Sequence, residues 1–190
     1  SRSGHDVKTY QLTQWYPKPA VFDKNGWHEM PYLDQGEFYG EYGDYEVQIT
    51  LPDNYIVAAT GKLQNESELA WLIEKSKQPI NIASKPKKKT LIKKAPATKK
   101  TNSKENLTTT NQQLPTKTLI FKQSKVHDFA WFANTNFVVS LDSFTLASGK
   151  TIQSSIYYLP NNGAIWTNSQ AYLKKAIQFH SLHTGEYPYE

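Results

Sequence analysis

Chemistry in this chain of 190 residues must come from five histidines, scattered carboxylates and a high density of aromatic rings, because there is no cysteine. That absence removes disulfides and thiolate metal ligands and leaves the redox compartment open. Of His5, His28, His127, His180 and His183, only the last two approach a metal-binding spacing, three apart on a segment of helical period. A zinc-protease helix needs two His four apart, so that both face the ion, with a Glu beside the first as base. This segment reads His180-Ser181-Leu182-His183. No metal is expected on it, and the pair reads as histidine near a helix C-terminus, where the helix dipole favours positive charge. His127 and Asp128 are neighbours in sequence, which in a strand sends their side chains to opposite faces and argues against a dyad. No G-x-S-x-G, P-loop or dinucleotide-binding glycine pattern occurs. Asp23, Glu29, Asp34 and Glu37 are acids that a cleft could gather, but no catalytic residue is assigned.

The aromatic residues are more telling. Trp15, Tyr16, Phe22, Trp27, Tyr32, Phe38, Tyr39, Tyr42, Tyr45 and Tyr55 lie among Pro17, Pro19, Pro31, Gly26, Gly36 and Gly40. Such a mixture cannot hold a helix, since Pro removes donors and Gly raises backbone entropy, so loops and short strands are expected. Packing accounts for most of these rings in a β domain. Trp15-Tyr16-Pro17-Lys18-Pro19 is harder to explain by packing alone and is a candidate ligand surface.

The elements that must carry this stretch are mainly β. Tyr45, Val47, Ile49 and Leu51 alternate with Glu46, Gln48 and Thr50, the period of a half-buried strand. Pro52-Asp53-Asn54 turns the chain and residues 55–60 return, so an antiparallel hairpin is predicted over 45–60. Residues 66–75 place acids early, Lys late and Leu69, Leu72 and Ile73 on one face, which predicts a short helix; the alternative is a polar loop anchored by Trp71. Apolar runs at 118–121, 126–133, 136–141 and 150–159 read as strands, with turns at Asn134-Thr135 and Ser148-Gly149. From Thr167 or Asn168, Ala171, Tyr172, Ala176, Phe179 and His183 recur at helical spacing until Gly185.

Charge separates one segment from the rest. The net charge is +5, yet residues 75–125 hold fourteen Lys against one acid, Glu105, so the remainder of the chain is acidic. Residues 76–117 are nearly free of aromatics and rich in Lys, Thr, Asn and Pro, which reads as a flexible insertion that cannot bury enough apolar area to order itself. A polybasic patch for nucleic acid is the alternative. No aromatic interleaves the Lys residues, and nucleic acid is not expected as a partner. No run approaches the roughly 18 apolar residues of a membrane span. The start, Ser1-Arg2-Ser3-Gly4, has no signal-like segment and no Met, and the chain is expected to be a processed or expressed piece of a longer protein.

Taken in order, Thr13-Gln14-Trp15-Tyr16-Pro17, Asp23, the strands over 45–61, the run 126–133, Ser155-Ile156-Tyr157-Tyr158-Leu159-Pro160 and Gly185-Glu186-Tyr187-Pro188-Tyr189 resemble the zinc metalloaminopeptidases of the aminopeptidase N and leukotriene hydrolase family. The match is to the bacterial branch carrying Q-W-Y-P-K and G-W-H…P-Y…G-E-F-Y. The resemblance implies an N-terminal β-sandwich or saddle-like domain over 1–147, interrupted by the Lys-rich insertion. Residues 148–190 would be the opening strand and helix of a thermolysin-like catalytic domain. It also implies a peptide substrate, zinc in the parent protein and a secreted, periplasmic or cell-surface parent. In the family the T-Q turn borders the substrate's first side chain, which makes Gln14, with Trp15 and Tyr16, the substrate-binding candidates. Where the family places Glu or Gln to hold the substrate's amino group, this chain has Tyr16. The family's G-x-M-E-N loop, H-E-x-x-H helix and later Glu ligand do not occur, so this chain alone is expected to be metal-free and inactive. The helix over 168–184, covered by the catalytic domain in the family, is expected to leave an apolar face prone to self-association. A carbohydrate-binding β-sandwich using Trp15, Trp27 and nearby Tyr as a stacking platform is the rival reading.

Overall fold

The computed structural model of the protein describes residues 3–30, 39–79 and 114–189, and antiparallel strand is their dominant element. β1 (Gly4–Asp6) and β2 (Thr9–Leu12) form one hairpin; β3 (Val21–Asp23) and β4 (Gly26–His28) form another. In the second, the Asp23 carboxylate accepts from His28 Nε2 at 2.8 Å and from the Asn25 N–H at 2.7 Å. The histidine bond, and after it the backbone bond, holds that carboxyl below its ordinary pKa.

β5 (Gly43–Pro52) carries the predicted alternation, with Ile49 and Leu51 buried and Glu46, Gln48 and Thr50 exposed. After it come β6 (Ile56–Ala59), β7 (Lys62–Leu63), α1 (Glu66–Ser76), β8 (Thr116–Val126), β9 (Trp131–Asn134), β10 (Val138–Thr145) and β11 (Thr151–Tyr158). A 3-10 turn at Pro160–Asn162 leads into α2 (Gly163–Trp166) and α3 (Ser169–Thr184), which stops at Gly185 as its sequence predicts. Most of the Lys-rich segment, residues 80–113, lies outside the described residues, as do Pro31, Tyr32, Asp34, Gly36, Glu37 and Phe38.

The hairpin predicted over 45–60 does not form. β5 pairs with β8, from Pro52↔Thr116 to Gly43↔Val126, and β6 pairs with β9. The turn is present, closed by the Tyr55 N–H on the Pro52 carbonyl at 3.2 Å, but the Asp53 N–H goes to the Pro115 carbonyl at 2.9 Å and the chain leaves the sheet. Alternation identifies a strand and its buried face; it does not name the partner. Two sheets result, ordered β1-β2-β9-β6 and β5-β8-β7. Val57 and Ala133 of the first meet Ile49, Leu51, Leu119 and Phe121 of the second in one apolar core, together with Phe129 from the β8–β9 connection.

α1 covers a second core made by Ile56, Leu72, Phe137 and Val139. Asn65, at its N-cap position, does not cap it; its amide donates to the Thr118 carbonyl at 3.0 Å and accepts from the Ile120 N–H at 2.8 Å, extending the edge of β8 with a side chain. β10 and β11 pair from Val138↔Tyr158 to Thr145↔Thr151, and the boundary expected near residue 147 falls in the turn between them. α3 lies on this hairpin through Ile177, against Phe144, Leu146 and Ile152, and through Gln170, whose amide bonds the Ser140 carbonyl and the Ser154 hydroxyl, each at 2.7 Å. Its Tyr172, Phe179 and Leu182 are exposed. Among the described residues no helix is long and apolar enough to cross a membrane.

Between β6 and β7 the chain passes from the first sheet to the second, and Gly61 makes the crossing. Its φ is +88°, and a Cβ there would stand 2.6 Å from the Lys122 carbonyl oxygen, closer than atoms approach. Gly149 has a similar φ, +91°, with open space around it. Gly61→Ala should therefore cost about 2 kcal/mol or more in urea unfolding, against about 1 kcal/mol for Gly149→Ala, where only the left-handed backbone is penalised. Equal costs would show that the close approach to β8 is not what fixes the crossing.

Candidate functional site

The end of β2 lies beside the start of β9, because the two are antiparallel and Leu12 pairs with Trp131. The residues that follow β2, 13–18, are therefore brought against those that precede β9, 127–130, although more than a hundred positions separate them. The exit from β2 is fixed first: the Thr13 N–H donates to Ser3 Oγ at 2.9 Å, and the same hydroxyl donates to the Thr13 carbonyl. Gln14 then takes a φ of +53°, a left-handed conformation that L side chains seldom adopt and that a well-held surrounding must impose. That bend carries residues 15–18 toward the β8–β9 connection.

There the turn meets one carboxylate. Gln14 Nε2 donates to Asp128 Oδ2 at 2.5 Å, the Tyr16 hydroxyl lies 3.1 Å from Oδ1, and Lys18 Nζ lies 3.1 Å from the same oxygen. The Phe129 N–H donates to Oδ1 at 2.7 Å. Trp15 points its indole N–H at the Phe129 carbonyl, 3.0 Å away, and keeps 41% of its surface in solvent. Lys18 also reaches the His127 carbonyl at 3.3 Å. Tyr45, at the bulge of β5, completes the wall: its hydroxyl is 2.9 Å from that of Tyr16, its ring stands edge-on to the Tyr16 ring, and it stacks on Phe129. Phe129 has no exposed surface, so the connection is pinned to the core directly beneath Asp128.

The carboxylate can only accept, which orients everything around it. It takes the NH₂ end of the Gln14 amide, whose other end, the carbonyl oxygen, is an acceptor. Tyr16 is held neutral: burial raises its pKa well above the ordinary 10.0, the Tyr45 hydrogen bond adds to this, and the negative charge of Asp128 pushes the same way. Asp128 is thus engaged by four donors, and the arrangement reads as a polar anchor for the turn rather than as an acid–base pair.

No family model, curated protein or solved structure matches this chain.

Gln14, Trp15 and Tyr16, the sequence candidates, are joined by Lys18 of the same proline-flanked stretch and by two residues that the sequence did not point to as site residues, Asp128 and Tyr45. The strand expected over 126–133 is broken: β8 ends at Val126 and β9 begins at Trp131, so His127 and Asp128 lie in the connection between them, His127 packing edge-on against Tyr42 with centroids 5.1 Å apart. What the sequence could not give is the partner of Asp128, since nothing local links residue 128 to residue 14. Lys18 carried a weak signal, a single charge two places beyond Tyr16 in a proline-flanked turn. Trp15 stands edge-on to Tyr16, and Trp27 pairs with Phe22 across the β3–β4 hairpin. Among the described residues no three or more His, Cys, Asp or Glu gather as a metal-binding group. His183 Nδ1 lies 2.8 Å from the Phe179 carbonyl and its ring stacks on Phe179.

The neutral state of Tyr16 sets a pH dependence. Its raised pKa means that the folded state keeps the phenol proton where the unfolded chain releases it, so this contribution is whole below about pH 10 and is lost as pH rises beyond that. Tyr16→Phe should lower stability by about 1 kcal/mol near pH 8, through its lost hydroxyl bonds. The deficit should shrink as pH passes about 10, read as the gap between the two urea midpoints. A gap that widens instead would overturn the assignment.

Proposed function

We propose that this chain supplies one wall of the peptide cleft of a zinc aminopeptidase, which removes N-terminal residues from peptides. The observation that supports the reading best is the turn over residues 13–18. Gln14 is set in a left-handed conformation with its NH₂ end fixed on Asp128, which leaves a carbonyl oxygen, the group that can accept from an amino terminus or a peptide N–H. This is the residue that the family resemblance puts beside the substrate's first side chain. In this reading the two sheets form the β-sandwich or saddle-like N-terminal domain, and residues 148–190 lead into a thermolysin-like domain. The zinc ligands and the general base belong to that domain in the parent protein, a secreted, periplasmic or cell-surface enzyme. The exposed Tyr172, Phe179 and Leu182 of α3 face it there, and they drive self-association of the isolated chain.

A second reading has an observation of its own. Phe22 and Trp27 form a cross-strand pair with centroids 5.0 Å apart, and 63% and 67% of their surfaces stay in solvent. Such a pair suits stacking on the apolar face of a sugar ring. A glycan screen separates the readings, since a carbohydrate-binding module would bind in the wild type and lose binding in Trp27→Ala.

The peptidase reading is tested on the parent protein with leucine p-nitroanilide. Hydrolysis should be abolished by a zinc chelator and restored by zinc, while the chain of 190 residues alone gives no turnover. Gln14→Ala in the parent should lower kcat/KM by about tenfold, the size of one lost hydrogen bond in the transition state. Turnover that survives chelation, or a parent gene without H-E-x-x-H, removes the reading.

A further inference from the structure

A lysine in a proline-flanked turn would ordinarily extend into water, because its ammonium is strongly hydrated and its stem flexible. Lys18 does not. Only 20% of its side chain is exposed, and its ammonium is received on three sides. Asp128 Oδ1 stands at 3.1 Å, the His127 carbonyl oxygen at 3.3 Å, and the Tyr16 ring centroid at 5.8 Å. A carboxylate, a carbonyl and an aromatic face are the three groups that recognise a primary ammonium: charge, a directed acceptor and a π surface. Each is fixed by something other than Lys18. Asp128 is held by the Phe129 N–H and the Gln14 amide, Tyr16 by Tyr45, and the connection by the buried Phe129 ring. The cage does not depend on the lysine that fills it.

We infer that Asp128, the His127 carbonyl and the Tyr16 ring form a binding site for a primary ammonium group, filled by Lys18 in the free chain and open to the free amino group of a peptide. The ion pair is partly exposed, with 30% of the Asp128 side chain in solvent, and pairs of that kind are weak enough for a ligand to displace. Gln14, whose NH₂ end is on Asp128, stands on the same turn and has an acceptor of its own in its carbonyl oxygen. The identity of the natural amine rests on the peptidase reading; the existence of the site does not.

The test uses this chain with n-propylamine, protonated at neutral pH, as probe, followed by the Trp15 indole signal in NMR. Lys18→Ala should bind it about fivefold tighter than the wild type, the factor by which a weak tethered ion pair competes. Lys18→Ala/Asp128→Asn should lose that binding. The neutral isostere 1-propanol, which should not bind Lys18→Ala, keeps the result independent of whether the double variant folds. Leucinamide should bind Lys18→Ala and N-acetyl-leucinamide should not. No gain on removing Lys18, or equal binding of 1-propanol or of the acetylated amide, overturns the proposal. Loss of the peptidase reading is seen separately, in the zinc dependence of the parent, and leaves the n-propylamine result standing.

Discussion

Phe129 has no surface in solvent, and the geometry of the residues around it depends on that burial. It is a connection residue, between β8 and β9, drawn into the core that the two main sheets share. Removing such a ring costs about 3–5 kcal/mol, several times the 1 kcal/mol or so of a single neutral hydrogen bond. The apolar contact therefore decides where the connection lies, and the polar groups decide what it holds. Its N–H fixes the Asp128 carboxylate and its carbonyl receives Trp15. The next residue is tied as well, Ala130 exchanging bonds with Thr60 through the Thr60 N–H at 2.9 Å and the Thr60 hydroxyl at 3.1 Å.

That division explains how a strained residue is kept. Gln14 in a left-handed conformation costs on the order of 1–2 kcal/mol, more than one exposed hydrogen bond returns. The turn offsets it with several ties at once: Ser3 at its start, Asp128 at Gln14, Phe129 at Trp15, Tyr45 at Tyr16. The partners come from three parts of the chain, the start of the first hairpin, β5 and the β8–β9 connection, so the strain persists only while both sheets are assembled. The turn is thus a readout of the global fold, unlike the β3–β4 hairpin, whose Asp23–His28 and Asp23–Asn25 bonds are all local.

The same distinction governs how much was legible in the sequence. Elements whose cause is local could be read: the alternation of β5, the acid-to-Lys gradient of α1, the period of α3 and its stop at Gly185. Pairing could not. Pro52-Asp53-Asn54 has the composition of a hairpin turn and does turn the chain, but the Asp53 N–H is taken by the Pro115 carbonyl, and β5 finds its partner in β8 across a long excursion. The candidate site divides the same way. Gln14, Trp15 and Tyr16 stand out because proline and aromatic residues crowd an otherwise polar turn. Asp128 is one acid in an apolar run, and its role exists only because β2 and β9 are neighbours.

This bears on what Tyr16 does where the family resemblance leads one to look for Glu or Gln. A phenol cannot offer a negative charge while burial, Tyr45 and Asp128 all hold its proton in place. Yet its hydroxyl is spent on the Asp128 carboxylate, which already carries an ammonium, that of Lys18. Negative charge is therefore present in this part of the molecule with a phenol at position 16. The charge stands on the connection beneath the turn, with the Tyr16 ring as one side of the cage. A Glu at position 16 would be placed against Asp128, and two carboxylates at that distance repel. Tyr16 and Asp128 are in that sense one choice, with the carboxylate supplied by the residue next to the buried Phe129, where its position is held most firmly.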